Sequence, residues 1–315
     1  MRNGTKKLTK YFSEVHRAYI SEQIATGVLM ETTIKSYKSG IRYFLSYLEE
    51  CGHTTFETVD KPCVSAFVPW ISERLPGGLH TALPGVRSFF RFLNESETFR
   101  QDWDMSLRIV LARKRKVQPG FTQGEIDRML SVSKNSRVCG KRDFAILILA
   151  ANTGLRSVDI IHLRLGDVDW RKNEIRIIQH KTDNELTLPL LPDVGNAIAD
   201  YILHERPASE CRNIFLSTKF PHQKLSNQGV CNIVVRAANV SSVDTGGTKQ
   251  HGIRSFRRSV GLRMLEAEIP LDLIREVLGH RSPNAIKPYL SIDHTHLQWC
   301  ALTLNDIETS RRELQ

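Results

Sequence analysis

Residues 174–190 read EIRIIQHKTDNELTLPL. Apolar and polar residues alternate over residues 174–177 and again over residues 185–190, and the polar residues 182–184 lie between the two runs. A period of two is typical of strands that bury one face, and a short polar break between two such runs indicates a hairpin. We therefore expect a short antiparallel sheet in the middle of the chain.

The segments before this hairpin are helical in pattern. Residues 125–133 and 142–152 predict two helices, and the second is so apolar that it must be buried on most sides. Gly154 is placed to end the second helix. Thr122 and Glu125 form the T-x-x-E pattern of a capping box, which predicts that the first helix begins there.

The first part of the chain, residues 7 to about 95, shows helical patterns alone. Apolar residues recur at helical spacing within residues 32–50 and within residues 86–93, so each segment can bury one stripe against a core. Proline and glycine at 76–78 and 84–85 predict breaks before the second stripe. This part is therefore expected to be a small helical bundle.

A run of basic residues, RKRK at 113–116, separates the two patterns. We predict a helical N-terminal domain over residues 1–112, an exposed basic linker over 113–120 and a second domain over 121–315. From about residue 228 the second domain returns to helical patterns. The expected fold class is thus mainly α with a small antiparallel β-sheet.

The chain carries an excess of positive charge. Its 315 residues include 44 Lys and Arg against 34 Asp and Glu, a formal net charge of +10, which favours nucleic acid or an anionic membrane surface as a partner. No run approaches the roughly 18 apolar residues of a spanning helix, and the N-terminus lacks the apolar core of a secretory signal. We expect a soluble, cytoplasmic protein.

Six scattered cysteines without a C-x-x-C pair predict reduced thiols and no structural metal.

Basic residues on the N-terminal helices and in the linker are suited to contact DNA phosphates. Such a stripe is about as often a merely solvated helix face, and a basic linker is often a plain connector. Membrane-surface binding is the weakest explanation, because the basic residues are spread over both domains and do not form one amphipathic helix. The candidate DNA-binding residues are Lys35, Lys38, Arg42, Arg87, Arg91, Arg113, Lys114, Arg115 and Lys116.

Four separated pieces carry residue types suited to phosphate chemistry. They are TGLRSVD at 153–159, Lys181 at the hairpin tip, HGIR at 251–254, and LGH at 278–280 followed by Tyr289. Each piece alone has an ordinary structural explanation: a surface ion pair, a solvated turn lysine, a structural histidine or a half-buried aromatic. Their order and spacing together are more specific than any one of them.

In that order and spacing, the four pieces resemble the tyrosine recombinases, the family of lambda-type phage integrases and Xer resolvases. TGLRSVD is similar to the family's first arginine box, HGIR to its H-x-x-R box and LGH to its second histidine box, and Tyr289 follows His280 by nine positions, which is the family's usual gap. The resemblance runs from about residue 121 to the end. It implies a helical core-binding domain followed by an α+β catalytic domain of the DNA breaking-rejoining type.

The resemblance also implies the reaction and its partners. The chain would act on double-stranded DNA with paired half-sites, as a dimer on each site and a tetramer in the synapse. Whether the outcome is integration, excision, transposition or dimer resolution is left open. The implied catalytic residues are Arg156, Lys181, His251, Arg254, His280 and Tyr289.

The chemistry of these side chains suits cleavage of a phosphodiester. The guanidinium groups of arginines and a histidine can stabilise negative charge on phosphate oxygens. A phenol with a free pKa near 10 is mostly protonated at neutral pH, so it needs this cationic cluster or a base to become nucleophilic. By resemblance Lys181 is the general acid, with Lys172 as the alternative, and His251 assists proton removal from Tyr289. Asp159 is interpreted as an orienting partner of Arg156. Because a 3′-phosphotyrosine conserves the energy of the broken link, no ATP, metal or other cofactor is expected.

Two other functions use the same residues differently. A type IB topoisomerase-like enzyme would rejoin the same strand, and a catalytically silent protein would bind DNA without cleaving it. The silent alternative is less favoured because every implied catalytic position carries a competent side chain. The C-terminal tail, residues 296–315, has apolar residues at helical spacing and is expected to pack either on its own domain or, as in the family, on a neighbouring protomer.

Overall fold

The computed structural model divides the chain into two compact units, Met1–Lys114 and Arg115–Gln315. The predictions made for 113–116, His251, His280, Tyr289 and the tail lie outside the residues that the structure describes. The described residues are 8–75, 77–95, 103, 107, 120–135, 140–244 and 252–279.

The first unit is built from helices around an aromatic core. The ring of Phe44 meets the rings of Phe67 and Phe90 edge to face, at centroid distances of 5.1 and 5.3 Å, and such pairs add to the free energy gained by burial. The predicted break at 76–78 is confirmed, since one helix ends before it and the next begins after it. The helices are α1 (Lys10–Thr26), α2 (Glu31–Glu50), α3 (Lys61–Arg74) and α4 (Leu79–Glu95).

The predicted break at 84–85 is wrong, because α4 continues through Pro84. A Cβ atom at Gly85 would lie 2.8 Å from the Cα atom of Tyr37, and one at Gly40 would lie 2.7 Å from the Cα atom of Ala82. Both glycines therefore serve the close approach of α2 and α4. Packing between the helices outweighs the tendency of a Pro-Gly pair to end one.

The second unit surrounds the apolar helix Lys141–Thr153, which packs against four other helices of the unit. The capping box is confirmed: the Thr122 N–H donates to Glu125 Oε2 (2.8 Å) and the Glu125 N–H to Thr122 Oγ1 (3.3 Å). The helix α8 lies outside the sequence predictions. The helices are α5 (Gln123–Asn135), α6 (Lys141–Thr153), α7 (Ser157–His162), α8 (Pro192–His204), α9 (Asn227–Val240), α10 (Ile253–Glu266) and α11 (Leu271–Val277).

A three-stranded antiparallel sheet, in the order β1-β2-β3, lies between α7 and α8 in the chain. Ile175 pairs with Leu188 and Ile177 with Leu186, and these four residues are buried in the core of the second unit. The predicted hairpin and the predicted fold class, mainly α with a small antiparallel sheet, are confirmed. The strands are β1 (Val168–Asp169), β2 (Glu174–Ile178) and β3 (Glu185–Pro189).

Two kinds of feature are absent from the described residues. None of the helices in these ranges combines the length and apolar character needed to cross a bilayer. Within the same ranges, no group of three or more histidine, cysteine or acidic side chains is arranged to hold a metal ion. The described cysteines form no disulfide with one another: Cys51, Cys63, Cys211 and Cys231.

Candidate active site

Arg156 lies between α6 and α7 in the second unit. Helix α6 is capped by Gly154, whose φ of 62° is a left-handed conformation that glycine adopts without strain. The next residue, Leu155, is buried in the core, while the side chain of Arg156 is 19% exposed. Since water screens charge less at a partly buried position, a guanidinium there can act strongly on an anion that reaches it.

The guanidinium of Arg156 is held from three directions. Its Nη1 donates to Gln179 Oε1 (3.0 Å) and its Nη2 to the carbonyl oxygen of Gly279 (2.8 Å). Asp159 Oδ2 lies 3.8 Å from Nη1, and the Asp159 side chain is completely buried. The other carboxylate oxygen of Asp159 accepts the N–H of His180 (3.1 Å). Asp159 thus lies between Arg156 and the hairpin, as an orienting partner would.

Lys181 lies in the turn that joins β2 to β3. The carbonyl oxygen of Gln179 accepts the N–H groups of Thr182 (3.1 Å) and Asp183 (2.8 Å), which closes this turn. Lys181 itself is exposed. Lys172 lies in the β1–β2 turn, where its N–H donates to Asp169 Oδ1 (3.0 Å). The two lysines are therefore at opposite ends of β2, and Lys181 is at the end where Arg156 bonds to the strand.

Helix α10 presents Arg254 in its first turn, where the residue is exposed. One turn later, Arg257 is 7% exposed. Its Nη1 donates to the carbonyl oxygen of Gly154 (3.0 Å) and its Nη2 to that of Leu278. Since Arg254 and Arg257 are three positions apart on one helix, this clamp brings the turn that carries Arg254 to the segment that carries Arg156.

The structure thus brings together parts of all four sequence pieces. Within the described residues these are Arg156, the turn of Lys181, the first turn of α10 and the residues Leu278–Gly279, which end next to His280. His251, His280 and Tyr289 lie outside the described residues.

Sequence reasoning missed the two side chains that join these pieces, Gln179 and Arg257. Gln179 follows the last residue of an apolar strand and precedes the tip lysine by two positions, a weak signal for a buried polar role. Arg257 stands among other arginines and serines in residues 254–259 of α10, so the local sequence does not mark it as the arginine that is buried. A buried arginine needs partners, but its partners lie 103 and 21 residues away.

A second candidate site is a basic cavity of about 310 Å³ in the first unit, lined by residues of the α1 segment and of α2. Its cations are Arg17, Lys38 and Arg42. No acidic side chain lines it among the residues that the structure describes. His16 also lines it, is 9% exposed, and has a buried Nε2 atom with no hydrogen-bond partner in the part of the chain that the structure describes. Burial, and then the charge of Lys38, lower the pKa of His16.

The other candidate DNA-binding residues are placed differently. Lys35 forms an exposed ion pair with Glu31, with Nζ 2.6 Å from Oε1. Arg87 donates from Nη2 to the carbonyl oxygen of Leu107, and Arg91 is exposed on α4. Residues 113–116 lie outside the described ranges. The cavity therefore gathers Lys38 and Arg42 and adds Arg17 and His16, which the sequence analysis did not select.

Comparison with known proteins gives matches over both units. A family described as "Phage integrase family" matches residues 120–296. A protein of Sinorhizobium fredii whose name marks it as a candidate integrase/recombinase, y4gC, is 37% identical over 182 residues, which cover 58% of this chain and 93% of that protein. A second such protein of the same organism, y4rA, is 31% identical over 279 residues, covering 87% of this chain and 66% of that protein.

Among solved structures, the fold is similar to that of the XerH site-specific recombinase bound to a palindromic difH substrate in a post-cleavage complex. The TM-score is 0.73 at 16% sequence identity, and the match covers 93% of this chain and 84% of that one. At this identity the likeness concerns the fold, which extends over the helical first unit as well as the second.

Proposed function

The chain belongs to the phage integrase family, and from that premise we propose that it is a tyrosine-type site-specific DNA recombinase, which cleaves and rejoins DNA through a 3′-phosphotyrosine on Tyr289. The observation that carries this proposal is the contact of Arg156 with both Gln179 and Gly279. These contacts join the first arginine box, the lysine hairpin and the second histidine box, which are far apart in the sequence.

The proposed role of Arg156, Arg254 and His280 is to stabilise the charge that grows on the phosphate oxygens during attack. A guanidinium stays charged at any physiological pH and can donate two hydrogen bonds to phosphate. Losing one such donor typically raises the barrier by about 2.7 to 4 kcal/mol. The partly buried position of Arg156 supports this role, because charge is screened less there than on an open surface.

The proposed reaction is a transesterification. The Tyr289 oxygen attacks the scissile phosphorus and the bond from phosphorus to the 5′-oxygen breaks. The phenolic proton is removed with the help of His251 and passes to solvent water. The general acid, Lys181, gives a proton to the departing 5′-oxygen. A 5′-hydroxyl from another strand then attacks the phosphotyrosine and reverses these steps, so that the number of phosphodiester bonds is conserved.

The position of the β2–β3 turn supports Lys181 over Lys172 as the acid. An acid must reach the leaving oxygen of the same phosphate that Arg156 holds. The β2–β3 turn follows directly on Gln179, whose side chain bonds Arg156. The turn with Lys172 is at the other end of β2, and five strand residues at about 3.3 Å each separate the two turns.

The basic cavity of the first unit supports a DNA-binding role for the N-terminal domain. A phosphate in this cavity would meet Arg17, Lys38 and Arg42, and it would supply a hydrogen-bond acceptor for His16. Such contacts are electrostatic and carry no sequence information by themselves. We propose that they hold the N-terminal domain along the DNA backbone while other residues select the site.

Two paired half-sites would be occupied by separate protomers, as a dimer on each site and a tetramer in the synapse. We propose on the same grounds that the protein acts in the cytoplasm in association with the nucleoid, where its DNA substrate is. Recombinase and topoisomerase chemistry differ only in which 5′-hydroxyl attacks the phosphotyrosine. A recombinase needs several protomers to bring the second strand to the phosphotyrosine, and this need distinguishes it from a topoisomerase.

The test is trapping on a nicked suicide substrate that carries the DNA flanks of the protein's own gene. Wild-type protein should form a covalent adduct, and Tyr289→Phe should bind the same DNA without an adduct, because only the nucleophilic oxygen is gone. The adduct should also form in the presence of a strong metal chelator. An adduct that persists with Tyr289→Phe would overturn the assignment of the nucleophile, and specific binding without any wild-type adduct would favour the silent DNA-binding alternative.

A second assay separates recombinase from topoisomerase. Two labelled duplexes of different length, each with paired half-sites, are incubated with the protein. A recombinase produces joined strands of new length. A type IB topoisomerase-like enzyme relaxes supercoiled DNA and leaves both lengths unchanged, and that result would replace the proposal.

A further inference from the structure

The side chain of Gln179 is completely buried, with 0% exposure, although it ends in an amide. Its Oε1 accepts two hydrogen bonds, one from Arg156 Nη1 (3.0 Å) and one from the hydroxyl of Thr182 (2.7 Å). Thr182 directly follows Lys181 in the turn. One oxygen atom therefore joins the arginine that is proposed to hold the phosphate to the turn that carries the proposed acid.

The amide of Gln179 also lies against Gly279, the residue before His280. A Cβ atom built on Gly279 would overlap with the amide atoms of Gln179, and Gly279 has a φ of 60°. The segment that leads to the second histidine thus rests directly on this amide. Arg156 reinforces the contact, since its Nη2 donates to the carbonyl oxygen of Gly279 (2.8 Å).

The amide is not what burial alone would select at this position. Its Nε2 atom is buried and has no hydrogen-bond partner among the described residues. A buried donor without a partner is unfavourable, and methionine, of similar shape, would avoid that cost. The acceptor oxygen is the part of the side chain that gains from being there. Its two hydrogen-bond partners, Arg156 and Thr182, belong to the candidate active site, which favours a role in the reaction over a role in core packing.

We propose that Gln179 is a positioning residue for DNA cleavage, which acts through Arg156 and through the Lys181 turn. This inference rests on the proposed recombinase function. Arg156 uses one N–H of each terminal nitrogen for Gln179 and Gly279, and its other N–H groups remain for a phosphate. Without the acceptor at 179, the guanidinium can rotate away from that orientation. Misplacement of a reacting group by about 1 Å can cost on the order of 100-fold in rate.

The experiment compares Gln179→Met with wild type on the suicide substrate. Methionine keeps the shape and removes the acceptor, so adduct formation should slow by about 10- to 100-fold, as expected for a lost hydrogen bond to a charged group, while half-site binding is unchanged. The matched control is Gln123→Met. It removes a similar bond in the same unit, from Arg263 Nη1 to Gln123 Oε1 (2.7 Å), and should leave cleavage unchanged.

A second substrate distinguishes positioning from a general structural defect. In a methylphosphonate, a methyl group replaces one non-bridging oxygen of the scissile phosphate and removes its charge, so less depends on Arg156. If Gln179 acts through Arg156, the defect of Gln179→Met should shrink on this substrate, in parallel with the defect of Arg156→Ala. An equal loss on both substrates, or an unchanged cleavage rate on ordinary DNA, would overturn the inference.

A third variant covers the case in which Gln179→Met lowers the melting temperature. Gln179→Glu retains an oxygen acceptor for Arg156 and Thr182 and should therefore cleave faster than Gln179→Met. Equal rates for the two variants would overturn the inference. Its failure differs from failure of the proposed function: in the first case wild type still forms the Tyr289 adduct, and in the second no adduct forms.

Discussion

Lys181 and Lys172 occupy turns at opposite ends of one strand, so their roles can be separated by substitution. Lys181→Ala should slow cleavage of ordinary DNA by about 100- to 10,000-fold, the usual range for loss of a general acid. Replacing the leaving 5′-oxygen by sulfur should largely restore the rate, because sulfur departs without protonation. Rates are measured by single-turnover adduct formation.

The control for this prediction is Lys172→Ala, which should cleave both substrates at the wild-type rate. Equal defects of Lys181→Ala on the oxygen and sulfur substrates would remove Lys181 from the acid role. A defect of Lys172→Ala that sulfur restores would assign the role to Lys172.

At His16, burial and the charge of Lys38 lower the pKa below its ordinary value. The unfolded chain takes up this proton near pH 6.5, whereas the folded chain takes it up at lower pH. Below about pH 6.5 the unfolded state thus binds more protons, and folding stability is lost as the pH falls towards the folded-state pKa. We predict that the melting temperature of His16→Gln falls less between pH 7.5 and 5.5 than that of wild type. Parallel decreases in both proteins would contradict the prediction.

At the scale of elements, local sequence signals predicted most of the second unit up to the hairpin. The capping box at Thr122 and Glu125, the left-handed Gly154 and the alternation in β2 and β3 depend on neighbours within a few residues. Because these signals depend only on neighbouring residues and not on distant contacts, they could be read from the sequence, and the structure confirms them. The acidic–basic pairing of Arg156 and Asp159 was also visible at i,i+3, although its burial was not.

Contacts between distant segments could not be predicted in the same way. The Pro-Gly pair at 84–85 reads as a break, but Gly85 is required where α4 meets Tyr37 of α2. Gln179 and Arg257 look ordinary in their own segments because their partners are brought in by the fold. The family resemblance predicted the catalytic residues, and the side chains that connect them became visible only in the structure.

The basic cavity between the α1 segment and α2 predicts how the DNA affinity of the protein depends on salt concentration. Each lysine or arginine that neutralises one phosphate contributes roughly 0.9 to the slope of log affinity against log salt concentration. Lys38→Ala should therefore reduce this slope by about 1 and weaken binding to all sequences alike. Lys35→Ala, on the same helix, should change the slope less than Lys38→Ala, because Lys35 does not line the cavity and is paired with Glu31. A slope that is unchanged by Lys38→Ala would remove the cavity from the DNA interface.

At the scale of the whole molecule, the tail at 296–315 is expected to couple protomers. Deleting it should leave binding to a single half-site nearly intact while weakening cooperative assembly on paired sites and deregulating cleavage. Packing on its own domain predicts instead a lower melting temperature and weaker half-site binding. Melting temperature, half-site affinity and full-site cooperativity are measured on the same truncated protein, and unchanged cooperativity would end the coupling hypothesis.

The second unit offers an apolar surface that can receive such a stripe. A groove of about 400 Å³ is lined by Leu188, Val260, Met264 and Val277, among others. If a neighbour's tail packs there, Met264→Glu should reduce cooperativity as the deletion does, because a charge in the groove opposes burial of apolar residues. Wild-type cooperativity in this variant would exclude the groove as the acceptor.

Two arginines cross between the same pair of segments in the second unit. Arg257 bonds Gly154 to Leu278, and Arg156, two residues after Gly154, bonds Gly279. The side chains of Arg156 and Arg257 and the backbone segments 154–156 and 278–279 thus form a closed ring of bonds. Breaking one of these hydrogen bonds therefore weakens the position of the others. Heating should therefore inactivate the protein abruptly, when the second unit melts. The amide hydrogens of Gly154 and Leu155, which donate to the carbonyl oxygen of Ala150 (3.0 Å) and to Thr153 Oγ1 (3.3 Å), should exchange slowly with deuterium, as expected for a core segment.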